Sequence, residues 1–205
     1  MPDGEDRSVS EHETSPPAED DDEKLIAAFA RGSTEAFGIL FARYRQPVYG
    51  FFCRRVTDRS IAEELAQETF LAILRAQDRY EATALFRTYL YAIALRILRS
   101  YRRKAAFRAI FSGTMPADHD PADAGASGNE LVLRDAVRRL DRIDREVLLL
   151  REFEELSYAE ISTVLGIPLN TVRSRLFRAR AALRDLLETS PARTRAGLSK
   201  LEEQA

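Results

Sequence analysis

The segment 157–184, which reads SYAEISTVLGIPLNTVRSRLFRARAALR, constrains the fold more than any other part of this chain. Its pattern predicts a short helix over 158–165, and Gly166 suits the left-handed residue that often ends a helix. The next two residues form a turn, and a longer helix starts near Leu169 or Asn170. This layout is a helix-turn-helix, which places its second helix in the major groove of DNA.

On a wheel of about 100° per residue, the second helix has an apolar face and a basic face. The apolar arc, which predicts the core side, consists of Val172, Leu176, Ala179 and Leu183. On the opposite side, Phe177 suits a thymine methyl, Arg178 a guanine edge and Ser174 a base or phosphate. Flanking arginines would hold phosphates and set the register. An ordinary αα-hairpin with a solvated basic face is the alternative interpretation. The DNA-binding candidates are Asn170, Thr171, Arg173, Ser174, Arg175, Phe177, Arg178 and Arg180.

Breaks in the helical pattern divide the chain into two parts. Residues 1–23 combine acids with Ser, Thr and Pro, the composition of a disordered tail. Residues 112–129 are small, acidic and interrupted by Pro and Gly, which favours a flexible linker. No alternating run predicts a strand. We therefore predict an all-α fold of two small helical domains joined by a flexible acidic linker, the second containing the helix-turn-helix. The predicted boundaries are a tail at 1–23, a first domain at 24–108, a linker at 109–129, a second domain at 130–188 and a polar tail at 189–205.

Charge is distributed unevenly along the chain. Residues 1–23 hold ten acids and one base, a net charge of −9, whereas residues 24–205 hold 30 bases and 23 acids, a net charge of +7. Seven Lys or Arg and no acid lie between Leu85 and Ala117, and five Arg and no acid lie between Thr171 and Arg184. Such blocks indicate a polyanionic partner, although two solvated helix faces would have the same composition.

Apolar residues recur at three- and four-residue steps through the first domain. One such helix covers 37–52, and Pro47 is expected to kink or split it. A second runs from about Ile61 to Leu74, and a third carries an apolar stripe over 86–101. Three or four helices with these faces can close one bundle.

The sequence predicts neither a catalytic site nor a metal or cofactor site. The only histidines are His12 and His119, and the single cysteine, Cys53, lies beside phenylalanines in an amphipathic helix. Metal-ligand spacings, glycine-rich phosphate loops and nucleophile motifs are missing, so we do not expect an enzyme. One cysteine cannot form an internal disulfide, no apolar run approaches the roughly 20 residues that cross a bilayer, and the acidic N-terminus does not resemble a signal peptide. We therefore expect a cytoplasmic protein without membrane insertion.

Five stretches together resemble the extracytoplasmic-function (ECF) group of bacterial RNA polymerase sigma factors. The helix-turn-helix resembles their final motif, and AVRRLDRIDREVLLLREFEEL resembles the start of the same domain. EKLIAAFARGSTEAFGILFARYRQPVYGFF, AEELAQETFLAIL and FRTYLYAIALRILRSYRRK resemble the three parts of their first domain, in the same order. The resemblance implies a sigma factor that binds core RNA polymerase, reads the minus-ten and minus-thirty-five promoter elements, and assists strand opening.

The resemblance also implies a polymerase-docking face on the AEELAQETFLAIL segment. In ECF factors this helix binds the clamp helices of the polymerase's largest subunit, and the flap of the second-largest subunit is a further implied contact. The wheel turns Leu65, Ile61, Thr69 and Ile73 inward. An exposed leucine bordered by carboxylates suits an interface with a basic protein helix, whereas a solvated acidic face is the alternative. The docking candidates are Glu63, Glu64, Gln67, Glu68 and Leu71.

Recognition of the minus-ten element is implied for the FRTYLYAIALRILRSYRRK helix and for the loop before it. Four of its arginines (Arg96, Arg99, Arg102 and Arg103) project away from the apolar stripe and can follow a phosphate backbone. Tyr80 in the loop is a stacking side chain for an unstacked base. Phe86 and Tyr89 are interpreted as core. The candidates are Tyr80, Arg87, Arg96, Arg99, Arg102 and Arg103.

Departures from the family pattern concern this same helix. Tyr89 stands where the family usually has Trp, and Arg96 and Ser100 stand where it usually has Asn and Asp, which bears on the preferred minus-ten sequence.

The linker and the partners are a further implication of the resemblance. The linker is expected to enter the polymerase's RNA path through its acids, which are Asp118, Asp120, Asp123 and Glu130, although an idle linker would look the same. An anti-sigma factor is a further implied partner, in addition to core RNA polymerase and promoter DNA. The rival class is a conventional repressor or activator, which would bind DNA alone and would not need an acidic interface helix.

Overall fold

The computed structural model describes residues 19–77, 85–112 and 128–189, and the regular elements in these ranges are α-helices. This confirms the predicted all-α fold. The helices are α1 (Glu19–Ala30), α2 (Thr34–Cys53), α3 (Arg59–Arg75), α4 (Phe86–Ser112), α5 (Gly128–Arg139), α6 (Arg142–Glu152), α7 (Tyr158–Leu165) and α8 (Leu169–Glu188).

Helices α1 to α4 pack as an N-terminal bundle around an aromatic core. Phe51 and Phe52 are fully buried, and their rings meet edge to face with centroids 5.1 Å apart. The apolar stripe of α4 lies inside the bundle, as the spacing predicts, with Leu90 and Leu98 fully buried. The bundle therefore presents the polar faces of α3 and α4 to the outside.

The folded part begins earlier than the sequence predicts. Helix α1 starts at Glu19, within the segment 1–23 that was expected to be a disordered tail. Asp22 is buried and accepts hydrogen bonds from Arg43 and Tyr44, and burial together with the Asp22 bond raises the pKa of Tyr44. Composition alone predicts that the acids of this segment are solvated, but Asp22 is held by two residues of α2. Residues 1–18 lie outside the described residues.

Proline in the middle of α2 does not split the helix. The helix runs unbroken from Thr34 to Cys53 with Pro47 inside it. Pro47 is exposed, so the backbone carbonyl one turn earlier, which loses its N–H partner, can bond to water. The prediction that Pro47 splits this helix is therefore wrong.

Helices α5 to α8 form a C-terminal bundle. Asp141 caps the start of α6 by accepting from the backbone N–H groups of Ile143 and Asp144 at 3.0 and 3.4 Å, which lowers the pKa of Asp141. Helix α8 packs mainly against α6 and α7. Its buried core includes Val147, Leu150, Leu156, Ile161, Val172 and Leu176.

The two bundles touch each other, and α4 packs along α7. Both ends of the predicted linker are helical, because α4 continues to Ser112 and α5 begins at Gly128. The linker between them lies outside the described residues, including Asp118, Asp120 and Asp123, as does the tail 190–205. The structure therefore shows the bundles side by side.

Candidate functional site

The outer face of α3 carries the predicted docking residues. Glu63, Glu64, Gln67 and Glu68 are exposed, and Leu71 is 46% exposed. On the opposite face, Leu65, Thr69 and Ile73 are buried as predicted, and Ile61 is half-buried against the core. Helix α3 is held at its start by Asp58, whose carboxylate accepts from the Ser60 N–H at 2.8 Å, and the Ser60 bonds lower the pKa of Asp58. A row of carboxylates beside an exposed leucine is thus presented on a firmly anchored helix.

The structure extends this face with apolar residues that the sequence did not single out. Leu74, one turn beyond Leu71, is 39% exposed. Phe41 of α2 is also exposed, and its ring packs edge-on against Phe70 of α3 with centroids 4.9 Å apart. An apolar strip flanked by acids is the composition of a protein-binding surface.

Helix α4 is basic, with seven Lys or Arg and no acid, most of them between Arg96 and Arg108. Arg96, Arg99 and Arg103 are exposed, as a backbone-tracking role requires. Arg102 differs from the expectation that it projects away from the protein: it is partly buried and donates to the Arg55 carbonyl at 3.1 Å.

The start of α4 is held by core residues and by the other bundle. Phe86 is buried at 1% exposure and Tyr89 is half-buried, so the interpretation of both as core agrees with their positions. Arg87 is engaged by Glu160 of α7 rather than open to solvent. Tyr80, the predicted stacking residue, lies outside the described residues.

The helix-turn-helix has the geometry that its sequence predicts. Ser157 and Glu160 form a capping box at the start of α7, in which each side chain accepts from the other residue's backbone N–H. Gly166 ends α7 with φ of 68°, and the Ser162 hydroxyl donates to the Ile167 carbonyl at 2.6 Å across the turn. Helix α8 is therefore fixed relative to α7 by local bonds.

The outward face of α8 presents the predicted reading residues. Phe177 is 76% exposed, among the most exposed large apolar side chains of the described residues. Asn170, Ser174 and Arg178 are also exposed, whereas Thr171 is half-buried. On the opposite face, Val172, Leu176 and Ala179 are buried, and Leu183 is half-buried. The wheel assignment of the two faces is confirmed.

Of the flanking arginines of α8, one is exposed and two form ion pairs with acids. Arg173 is exposed. Arg175 pairs with Asp144 at 2.8 Å and approaches Asp141 at 3.5 Å, and Arg180 pairs with Glu152 at 2.7 Å. Two of the predicted phosphate contacts therefore also fasten α8 to the acids of α6 and of its cap, a role that helical spacing alone does not reveal.

Two polar clusters join the bundles, and neither was predicted from the residue pattern. In the first, which we call the Arg55 cluster, Arg55 binds Glu146 at 2.7 Å and Glu154 at 3.0 Å, and Arg54 binds Glu154 at 3.1 Å. Burial alone would lower the pKa of Arg55, but the two carboxylates outweigh it and raise the pKa, so the guanidinium stays charged. These partners are 91 to 100 residues apart in sequence.

In the second, which we call the Glu160 cluster, Glu160 accepts from Arg87 Nε and Nη2 at 3.2 and 3.1 Å and from the Thr88 hydroxyl at 3.1 Å. Burial alone would raise the pKa of Glu160, but the bonds from Arg87 and Ser157 outweigh it and lower the pKa. One carboxylate thus caps α7 and holds the start of α4.

Within the described residues, no group of three or more His, Cys, Asp or Glu side chains is arranged to hold a metal ion. Cys53 is a half-buried free thiol, and His12 and His119 lie outside the described residues. Among the helices described, none is both long and apolar enough to cross a membrane.

Comparison with known proteins places both bundles in one family. The family model for sigma-70 region 2 matches residues 40–108, and that for sigma-70 region 4 matches residues 130–183. The chain is 31% identical to RNA polymerase sigma-H factor of Pseudomonas aeruginosa over 83% of this chain and 95% of that protein. It is 30% identical to the ECF RNA polymerase sigma-E factor of Escherichia coli over 79% of this chain and 92% of that protein. Among solved structures, CnrH in complex with the cytosolic domain of CnrY matches with a TM-score of 0.64 and 27% identity, over 83% of this chain and 99% of that one.

Proposed function

The chain belongs to the ECF group of RNA polymerase sigma factors, which direct promoter-specific transcription initiation, and we propose that its two bundles divide this work between polymerase docking and DNA reading. In this proposal the protein acts in the cytoplasm and catalyses no reaction itself. Its contribution is to bind surfaces of the polymerase and of the promoter in a fixed order along the DNA.

The observation that carries the proposal is the exposure of Phe177 on the basic face of α8. The Phe177 ring is 76% exposed, and this exposure does not stabilise the fold, because an apolar ring stabilises a protein only when it is buried. On the reading helix of a helix-turn-helix, the same ring meets the methyl group of a thymine in the major groove. Ser174 and Arg178, exposed beside it, supply polar contacts to base edges of the minus-thirty-five element.

The outer face of α3 is the proposed polymerase contact. Glu64, Gln67, Glu68 and Leu71 lie on it, and its acids complement a basic helix such as those of the polymerase clamp. A conventional repressor has no use for such a face, which favours the sigma function over that rival. The flap of the second-largest subunit is the proposed contact of the C-terminal bundle.

The basic surface of α4 is the proposed contact with the minus-ten region. Exposed Arg96, Arg99 and Arg103 would pair with phosphates, which gives affinity that falls with salt. Arg87 and Tyr80 would meet the bases at the start of the helix. Because Tyr89 fills part of the core at this point, we expect a minus-ten preference that differs from that of family members with Trp there.

A regulatory partner is also proposed. CnrH is solved with the cytosolic domain of CnrY bound to it. By analogy, an anti-sigma factor with a cytosolic domain would bind this chain and keep it from the polymerase.

Charge reversal on α3 tests the docking face. Glu64→Lys with Glu68→Lys should lower the affinity for core polymerase by at least about tenfold, which corresponds to about 1.4 kcal/mol. Helicity by circular dichroism should not change, because both side chains are exposed. The matched control is Glu35→Lys with Glu188→Lys, two exposed acids away from α3 that give the same change in net charge. Equal affinity of the α3 variant and the control would contradict the assignment.

A further inference from the structure

The start of α4, where contact with the minus-ten region is proposed, has no cap from its own sequence. Leu85 stands at the cap position, because its carbonyl accepts from the Tyr89 N–H, but its side chain has no atom that can accept a hydrogen bond. The first turn carries Arg87 and no acid, although the positive end of a helix dipole favours negative charge. The first N–H groups of an α-helix have no partner within the helix. A capping acceptor has to come from another element.

Glu23 of α1 supplies this acceptor. Its carboxylate accepts from the Phe86 N–H at 2.6 Å, across 63 positions of the chain. Glu23 is half-buried and Phe86 is buried, so water competes little for the bond. The Glu160 cluster contacts α4 through the side chains of Arg87 and Thr88. Glu23 differs because it binds the backbone, and it therefore acts on the first turn of the helix itself.

The residue next to Glu23 holds the same point from a second side. Asp22 is buried and accepts hydrogen bonds from Arg43 and from the Tyr44 hydroxyl. The Tyr44 ring packs edge-on against the Phe86 ring, with centroids 5.3 Å apart. Phe86 is thus fixed through its backbone by Glu23 and through its ring by Tyr44, which Asp22 holds in place.

Helix α1 is anchored independently of Glu23. At its other end, the side-chain amide of Gln77, which follows α3, donates to the Phe29 carbonyl at 2.8 Å. Ile26 and Phe29 of α1 are each 1% exposed in the core. Together with the Asp22 bonds, these contacts keep α1 in the bundle when the Glu23 carboxylate is removed. A substitution of Glu23 therefore removes the cap of α4 without removing α1.

From these contacts we propose that Glu23 is a positioning residue for promoter strand opening. By binding the Phe86 N–H it orders the first turn of α4, and this order sets the direction in which Arg87 leaves the helix. A first turn that is already ordered spares the promoter complex the cost of ordering it when DNA binds. The inference rests on the proposed function, which makes Arg87 a contact for the minus-ten region. Glu23 itself touches no DNA in this role.

Strand opening by core polymerase with the full-length chain tests the role. The probe is permanganate oxidation of unpaired thymines in a promoter identified by mapping start sites. In Glu23→Ala, loss of the helix cap should lower the ratio of open to closed promoter complexes by about two- to thirtyfold. Affinity for core polymerase should not change, because Glu23 is not on α3. Glu23→Gln keeps an acceptor oxygen and should open the promoter more fully than Glu23→Ala. Equal losses in the two variants would contradict a capping role.

Ser33→Ala is the matched control. It removes another cap of the same bundle, the Ser33 hydroxyl that accepts from the Ala36 N–H at 3.2 Å, and leaves the start of α4 intact. If Glu23→Ala opens the promoter as well as Ser33→Ala does, the positioning role is refuted.

Hydrogen exchange in the full-length chain alone gives a second measurement. The backbone amides of residues 86–91 should exchange faster in Glu23→Ala than in the parent, and at the parent's rate in Ser33→Ala. Unchanged protection in Glu23→Ala would also refute the role. Because this measurement uses neither polymerase nor promoter, faster exchange in Glu23→Ala combined with a parent chain that opens no promoter would overturn the proposed function alone.

Discussion

Truncation of Phe177 separates a reading role from a structural role more clearly than any other single change. Full burial of a phenylalanine contributes about 1.5–3 kcal/mol relative to exposure. Since Phe177 is 76% exposed, only about a quarter of this contribution is lost in Phe177→Ala, or about 0.4–0.7 kcal/mol. A change of that size shifts the melting temperature of a small domain by less than about 6 °C.

The effect on DNA should be larger than the effect on stability. Loss of a base contact in the major groove costs about 1–3 kcal/mol, or about 5- to 150-fold in affinity. The assay is binding of the polymerase complex to a promoter fragment, measured by fluorescence anisotropy beside thermal melting of each variant. The neighbouring Leu176→Ala is the control, because Leu176 is 1% exposed and its loss should cost about 2–5 kcal/mol of stability. If Phe177→Ala melts as early as Leu176→Ala, or binds the promoter as well as the parent, the reading face is assigned wrongly.

Four further predictions follow from particular contacts. Arg175→Ala should weaken all promoter sequences about equally and lower the salt slope by about one. Because Asp144 then keeps only Arg178, at 4.0 Å, the change should also lower the melting temperature. Salt titration and thermal melting would show the two effects. Gly166→Ala should destabilise the C-terminal bundle by about 1–2 kcal/mol in urea denaturation, through backbone strain alone, since φ is 68° and an added Cβ meets nothing within 4 Å. The pKa of Glu160 is lower in the folded protein than the ordinary glutamate value of 4.5, so ionised Glu160 stabilises the fold at pH values above 4.5. The free energy of unfolding should therefore fall as the pH drops below 4.5. Denaturation at each pH should show a smaller fall in Glu160→Gln. Deletion of residues 1–18, which carry five acids and one base, should raise DNA affinity at low salt and lose that gain at high salt; equal binding at low salt would contradict it.

Sequence reasoning succeeded where the signal is local. The helix-turn-helix was predictable because Gly166 marks the helix end and because Val172 and Leu176 repeat at helical spacing. The outward face of α3 followed from the same periodicity. In both cases neighbouring residues along the chain decide the structure, so one sequence contains the information.

Features that depend on contacts between residues distant in sequence could not be predicted. The acids at the start of α1 look like part of a tail until Arg43 and Tyr44, more than 20 residues away, are seen to bind Asp22. The Arg55 cluster joins residues that no periodicity connects. Pro47 breaks a hydrogen bond in any helix, but only its position on the solvent side shows that water can replace that bond.

As a sigma factor, this chain directs polymerase to particular promoters. The most direct measurement is transcription in vitro from a genomic DNA library with core polymerase, with and without the full-length chain, followed by mapping of the transcript 5′ ends. We expect new start sites that share a minus-ten and a minus-thirty-five sequence at a constant spacing. We also expect Arg178→Ala to relax the preference at one base pair of the minus-thirty-five sequence. A chain that produces no new start sites, and instead binds palindromic DNA without polymerase, would contradict it.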